Sequence, residues 1–428
     1  MTSHQVVTRA PLVGLLVSHS VSMTGNMLTI IALPLYVLAE TGSAAATGVT
    51  GFFATLPIVL GGVFGGVLVD RVGYRRASVL ADVASGATIV LVPVLDSTVG
   101  VAFPVLLGLV FLSGLLDTPG QSARNALLPE VAATAGVPLE RAVGMFEACE
   151  RGALMAGAPV AGLLVALFGA LPVLALDAAT FALSAAVLAR SVPRDVDARV
   201  QADRDPADVS GYWRSLGDGF GFVARDPLLR AFVLLVLLTN AIDAAKSTVL
   251  LPVYAERELG GALAFGLLVG TMGAGALIGS LLFGAIGHRL PRRPTFALAF
   301  ALAGAPPLLA LAAGLALPVL LGITVFSGLC AGAINPLIGT VKLERIPPGM
   351  RARANGLIQA GAWAAVPLGA LGGGFAVESF GLTETLLALG LVYLALTLSP
   401  LLGGPWRELD RRRATDTSGA ADPTARPA

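Results

Sequence analysis

Charge is scarce in this sequence. Only 13% of its 428 residues are Asp, Glu, Lys or Arg, against 55% hydrophobic, and the mean hydropathy is +0.82. Soluble domains carry about a quarter charged residues, so a water-facing globular domain is excluded and the chain reads as an integral membrane protein. Cysteine is nearly absent: Cys149 and Cys330 both fall inside apolar segments, which leaves no disulfide framework. Lysine is equally rare. Lys246 and Lys342 are the only two, and neither follows a glycine, so no G-x-x-x-x-G-K-[ST] loop exists to cradle a nucleotide. H-E-x-x-H and G-x-S-x-G are missing as well, so catalytic chemistry is not expected. No metal site and no cofactor are expected either, and any work the protein does must draw on a gradient. No cleavable leader is expected. The first apolar segment is too long for a signal-peptide core and no A-x-A site follows it, so it is expected to stay as a membrane span.

What the chain has in abundance is long apolar runs. A helix needs about 20 apolar residues to cross a ~30 Å hydrocarbon core. Twelve segments qualify, at 11–38, 46–69, 77–95, 101–122, 142–167, 171–190, 229–254, 262–286, 294–314, 316–341, 354–377 and 383–403. Pro34, Pro57, Pro159, Pro252, Pro336 and Pro367 lie inside them, which membrane helices tolerate. With this count, all but three of the 28 Lys and Arg fall on one side, the exceptions being Arg151, Lys246 and Arg257. That side carries both chain ends and the loops after even-numbered spans. Basic residues collect in the cytoplasm, so both termini are expected there, in a multi-pass protein of the cell membrane.

The expected layout is a six-helix bundle at 1–190, a cytoplasmic linker at 191–228, a second six-helix bundle at 229–406 and a disordered cytoplasmic tail at 407–428. Asp and Arg nearly balance in the linker. Its end carries Tyr212, Trp213, Phe220 and Phe222, which predicts an amphipathic helix on the inner membrane surface.

The two bundles are copies. "LPLYVLAE" begins at Leu33 and "LPVYAERE" at Leu251; the same offset of 218 takes Gly66 to Gly284, Arg71 to Arg289 and Arg75 to Arg293 without an insertion. In "GGVLVDRVGYRR", two helices must reverse within a short loop. Gly66 permits close helix contact, Gly73 permits a positive φ, and Arg71, Arg75 and Arg76 sit at headgroup level.

The pattern G-x-x-x-D-R-x-G-x-R-R, formed by Gly66, Asp70, Arg71, Gly73, Arg75 and Arg76 between the second and third of twelve spans, resembles the signature of the major facilitator superfamily. The resemblance covers the whole chain. It implies an all-α membrane protein with twelve transmembrane helices in two pseudo-symmetric six-helix bundles. It also implies that this loop latches the cytoplasmic side, with Asp70 facing the start of the eleventh helix. In the second copy, Gly284, Arg289 and Arg293 remain, while His288 replaces the acid and Pro291 the glycine. "ARNALLPEVA", "APVAGLLVALFG" and "LALDAATFALSAAVLAR" resemble the drug, macrolide and siderophore exporter branch. Ala158-Pro159-x-x-Gly162 stands where antiporters of the family carry Gly-Pro-x-x-Gly-Gly, which favours export.

Charges inside spans cost about 2.5–3.5 kcal/mol each at mid-bilayer and are functional candidates by default. The seventh span has Asn240, Asp243, Lys246 and Ser247 on one helical face, read either as a cavity wall or as a neutral Asp243–Lys246 pair. The fifth has Glu147, Glu150 and Arg151. Glu147 and Arg151 stand at i,i+4, a favourable order, which leaves one acid free to carry a proton. In the first span Ser18, Ser22, Asn26 and Thr29 form a polar stripe expected to line the same cavity, with His19 beside it, read as a surface residue. Asp82 is expected to join the motif-loop network, Asp117 to face a cavity or an interface, Asp177 to be structural, and Asn335 to line the second half's wall.

Together these residues predict a secondary transporter working by alternating access, a proton-coupled antiporter exporting a small apolar or amphipathic compound. The partners expected are that substrate, protons and the lipid bilayer; the chain acts as a monomer and binds no nucleic acid. A proton-coupled importer and a non-transporting membrane sensor or scaffold are the alternatives.

Overall fold

The computed structural model describes residues 8–194, 196, 221, 223–347 and 351–410; the side chains of 62–68, 70, 71 and 351–353 fall outside that description. Most of the predicted interfacial helix, the tail after 410 and the side chains of Asp70 and Arg71 therefore lie outside the described residues.

Among the described residues, twelve helices are long and apolar enough to span a membrane: α1 (Ala10–Thr41), α2 (Ala44–Val72), α3 (Tyr74–Thr98), α4 (Phe103–Thr134), α5 (Leu139–Phe168), α6 (Ala170–Ser191), α7 (Pro227–Glu258), α8 (Ala262–Arg289), α9 (Arg292–Ala312), α10 (Leu317–Arg345), α11 (Ala354–Phe380) and α12 (Leu382–Leu402). Each overlaps one predicted span. The largest departure is α4, which runs to Thr134 rather than stopping at 122. Gly73 turns α2 into α3 with φ 92°, as its place in the loop demanded.

Two prolines leave visible marks. Pro159 and Pro252 each follow a π-helical turn, Ala153–Gly157 in α5 and Lys246–Leu250 in α7. A proline gives no N–H to the carbonyl four residues back and its ring crowds that carbonyl. A widened turn accommodates the crowding, and such turns cluster at functional sites.

The repeat is visible in the packing. α2 lies on α4, and α3 on both α4 and α6; in the second half α8 lies on α10, and α9 on both α10 and α12. It is also visible in one side chain. Arg75 Nε–H donates to the Val192 carbonyl at 2.6 Å and its Nη2 to the Ala189 carbonyl, at the end of α6. Arg293, 218 residues on, donates from Nε to the Pro400 carbonyl at 2.6 Å and from Nη2 to Leu401 at 2.5 Å, at the end of α12. Both arginines satisfy the open carbonyls of a helix C-terminus, where a cation is favoured. This corrects the expectation for Arg75 and Arg293. Here each staples its own half together. Arg76 is exposed, and Arg289 donates to His288 Nε2 at 3.2 Å.

Successive helices run up and down, so the start of α1, the end of α12 and the ends of α2, α4, α8 and α10 share one face, the Arg-rich face. The halves meet at the other face. There, Gly162 of α5 meets Ala262 and Gly266 of α8, and Gly48 of α2 meets Gly374 of α11, backbone against backbone. The α5–α8 contact continues through Pro159–Gly270 to Leu154–Gly273, and then Gly144, Gly152 and Gly284, nearer the Arg-rich face, have no neighbour within 4 Å of where a Cβ would stand. The halves are closed at the opposite face and part toward the Arg-rich face.

One polar contact reinforces that closure. Glu378, at the end of α11, accepts from Ser43 Oγ at 3.3 Å and from the Ala45 N–H at 3.4 Å. A carboxylate from the second half thus caps the N-terminus of a first-half helix. Glu378→Gln is expected to move the population a few-fold toward an open opposite face, seen as faster labelling of a cysteine placed at Ala45; unchanged labelling would show that the contact does not hold the gate.

Candidate functional site

The site begins with α1, whose polar positions 18, 22, 26 and 29 recur at helical spacing. Ser18 and Ser22 are fully buried and point into the first bundle, not into a cavity between the halves. This corrects their expected placement. Ser22 Oγ accepts from Arg124 Nη2 of α4 at 3.1 Å, and Ser18 Oγ lies 2.8 Å from Ser184 Oγ of α6. Arg124 also donates from Nη1 to both oxygens of Asp82, at 2.9 and 3.1 Å, and Ser184 donates to Asp82 Oδ2 at 2.6 Å. Asp82 therefore belongs to the bundle interior and not to the motif loop. Both Arg124 and Asp82 have no solvent exposure.

Asp117 stands beside this pair. Its Oδ1 is 3.8 Å from Arg124 Nη2, and its Oδ2 accepts from Gln121 at 2.6 Å and from Asn26 at 3.3 Å. One arginine thus faces two acids. A turn further along α1, Thr29 Oγ1 donates to Asp177 at 2.5 Å and Thr180 to its other oxygen at 3.1 Å. Asp177, expected to be structural, joins α1 to α6 through these bonds.

In α5 the anticipated i,i+4 pair does not form: among the described residues no ion pair joins Glu147 to Arg151, and Glu147 is exposed. Glu150 instead reaches His19 of α1, Oε1 to Nε2 at 3.4 Å. His19, read from sequence as a surface residue, is buried.

In the second half, Lys246 Nζ donates to Asp243 Oδ1 at 2.5 Å, and the Tyr393 hydroxyl of α12 donates to its Oδ2 at 3.5 Å. Asn240 faces elsewhere. α11 is interrupted at 364–365 ahead of Pro367, and Asn240 Nδ2 donates at 2.8 Å to the Ala362 carbonyl beside that break. It braces α7 on α11, which corrects its assignment to a cavity wall. Asn335 is exposed, just past a similar break in α10.

A cavity of about 160 Å³ opens on this arrangement, lined by Leu154 of α5 and by Lys246, Ser247, Leu268, Met272, Leu311 and further apolar residues of α7–α10. Lys246, Ser247 and Thr324 are its polar members. Ligand pockets of about 300–1,000 Å³ enclose drug-sized molecules, so this one is too small to enclose a whole one. A second recess of about 510 Å³ sits at the Arg-rich face around Gly284, His288, Arg292 and Asp410.

Comparison with known proteins settles the family. The sequence matches the Major Facilitator Superfamily over residues 15–261 and again over 233–427. The chain belongs to that superfamily. It is 30% identical over 406 residues to the multidrug efflux pump Tap of Mycolicibacterium fortuitum, covering 94% of this chain and 98% of that one. The fold resembles the nucleoside transporter NupG, with TM-score 0.75, 13% identity and coverage of 93% and 98% of the two chains. It also resembles a bacterial homologue of ferroportin in its inward-facing state, with TM-score 0.68, 17% identity and coverage of 91% and 98%. As a superfamily member the chain is a multi-pass membrane transporter and not an enzyme.

The sequence missed Arg124 because the span-four window ended at 122. The signal was available in "ARNALLPE", which continues α4 with good helix formers beyond the arginine.

Proposed function

We propose that this transporter is a proton-coupled antiporter that expels a small apolar or amphipathic compound through the cell membrane, with both termini in the cytoplasm. The observation that carries the reading is the apolar cavity lined from both halves: Lys246, paired with Asp243, lines it from α7, and Leu154 lines it from α5, one helical turn on from the Glu150–His19 pair. An apolar wall takes an apolar substrate, and the acids give protons somewhere to bind during the cycle. The 30% identity to a multidrug efflux pump supports the outward direction. In this orientation the structure is open to the cytoplasm. Asn26, Asp117, Glu147, Arg151 and Asn335 are then the polar surround of the path from the Arg-rich face. Closing that face brings the Gly66–Arg76 loop onto α11, the latch role the signature implies for Asp70 and Arg71.

The test is transport in inverted membrane vesicles containing the full chain, with an acid interior imposed and ethidium as probe. Ethidium is expected to accumulate inside and to leave when nigericin collapses the pH gradient. Accumulation in right-side-out vesicles under an acid exterior, with none in inverted vesicles under an acid interior, would identify a proton-coupled importer, and none under either gradient would remove proton-driven transport of this substrate class.

A further inference from the structure

The geometry points to His19, with Glu150, as the proton-binding pair that couples the pH gradient to movement of α5 against α8. This inference rests on the proton-coupled reading above.

His19 is 1% exposed and stacks on Phe146 of α5, ring centroids 3.6 Å apart and planes at 14°. Nδ1 has no hydrogen-bond partner among the described residues, and Nε2 has Glu150 Oε1 alone opposite it. A buried polar atom without a partner is costly. If stacking on Phe146 were the whole role of position 19, a phenyl ring would serve it without that cost. The imidazole is therefore held for what its nitrogens can do. Nε2 faces Glu150 Oε1 at 3.4 Å, and the Glu150 side chain is 43% exposed. Leu154, one helical turn above Glu150 on the same face of α5, lines the apolar cavity. The half-exposed carboxylate thus stands against the buried ring, one helical turn from the cavity wall.

Other charges near His19 are already engaged or set apart. α5 also brings Glu147, which is exposed, and Arg151, next to Glu150. α3 and α4 bring Asp82, Arg124 and Asp117, which bond one another, Ser22, Ser184, Gln121 and Asn26. α6 brings Asp177, held by Thr29 and Thr180. Glu150 is the carboxylate that faces the ring.

The step is a proton transfer. A proton from cavity water adds to the Glu150 carboxylate and passes to Nε2 of neutral His19, leaving an imidazolium opposite a carboxylate; release reverses it, and no other reactant is consumed. Protonation turns a singly negative pair into a neutral, attracting one. That attraction pulls α5 onto α1 directly below the π-turn Ala153–Gly157. Leu154 and Met155 of that turn are the residues that meet α8 at Gly273 and Gly270. The proton therefore acts on the contact by which the halves close.

Purified full-length protein in liposomes, clamped at zero membrane potential, separates coupling from transport. A one-unit pH gradient sustains at most about a tenfold ethidium gradient per proton exchanged. Wild type is expected to approach that ratio. His19→Gln and Glu150→Gln are expected to build no gradient while keeping ethidium-for-ethidium exchange within about twofold of wild type. The double variant should behave like either single one. A wild-type gradient in His19→Gln overturns the inference, as does loss of exchange along with drive, which marks a merely structural role. Should His19→Gln fail to assemble, Glu150→Gln carries the same test. A wild-type protein that exchanges ethidium but builds no gradient removes proton coupling itself, a different failure.

Discussion

Arg124→Leu is expected to destabilise the first half by about 3–5 kcal/mol, the usual consequence of leaving one member of a buried ion pair alone. Arg124 is the largest side chain among those fully buried, and it holds Asp82 with two bonds and Ser22 with one while standing 3.8 Å from Asp117. Without it Asp82 keeps the Ser184 hydroxyl but no counter-charge, in a region where water is not at hand to replace it. Thermal unfolding in detergent measures the loss. The companion variant Arg124→Leu/Asp82→Leu is expected to recover much of it, because removing both charges removes the desolvation penalty with the attraction. A single variant as stable as wild type would mean that the pair is not the keystone the geometry makes it.

How much of this was legible in the sequence follows from which properties are linear in the chain. Span number, the two halves and the turn at Gly73 were readable, because hydropathy runs and a fixed offset of 218 need no knowledge of neighbours. Arg75 and Arg293 were correctly paired by that offset, but their job was not readable: it depends on where α6 and α12 end in space. Arg124 fell on the wrong side of a boundary because a hydropathy window penalises a charge whatever its partners, whereas the folded chain cancels the penalty with Asp82 from another helix. Asn240 looked like a cavity residue from its helical face. The α11 break it braces is 122 residues away. His19 was underrated for the same reason, since neither Phe146 nor Glu150 is near it in sequence. Helix faces are legible; which neighbour each face meets is a tertiary fact.

Gly266→Leu is expected to reduce transport by about a hundredfold or more while leaving each half folded, which corresponds to about 3 kcal/mol against the state closed at the opposite face. A Cβ at Gly266 would stand 2.3 Å from the Ala158 carbonyl oxygen and 3.0 Å from Gly162 Cα. Both obstacles are main chain, so neither can swing aside as a flexible side chain would, and relief requires α5 and α8 to separate. The reciprocal position has the same restriction, since a Cβ at Gly162 would lie 2.5 Å from the Ala262 carbonyl. Small residues here are the condition for two helices from different halves to touch, and alternating access needs that touch to form and break in every cycle. Gly372→Leu on α11 is the control, because nothing lies within 4 Å of the Cβ it adds; it is expected to transport normally. Spin labels across the opposite face should show Gly266→Leu shifted to longer distances, with unfolding temperature close to wild type. Transport at the wild-type rate in Gly266→Leu would show that closure at this contact is not a step of the cycle.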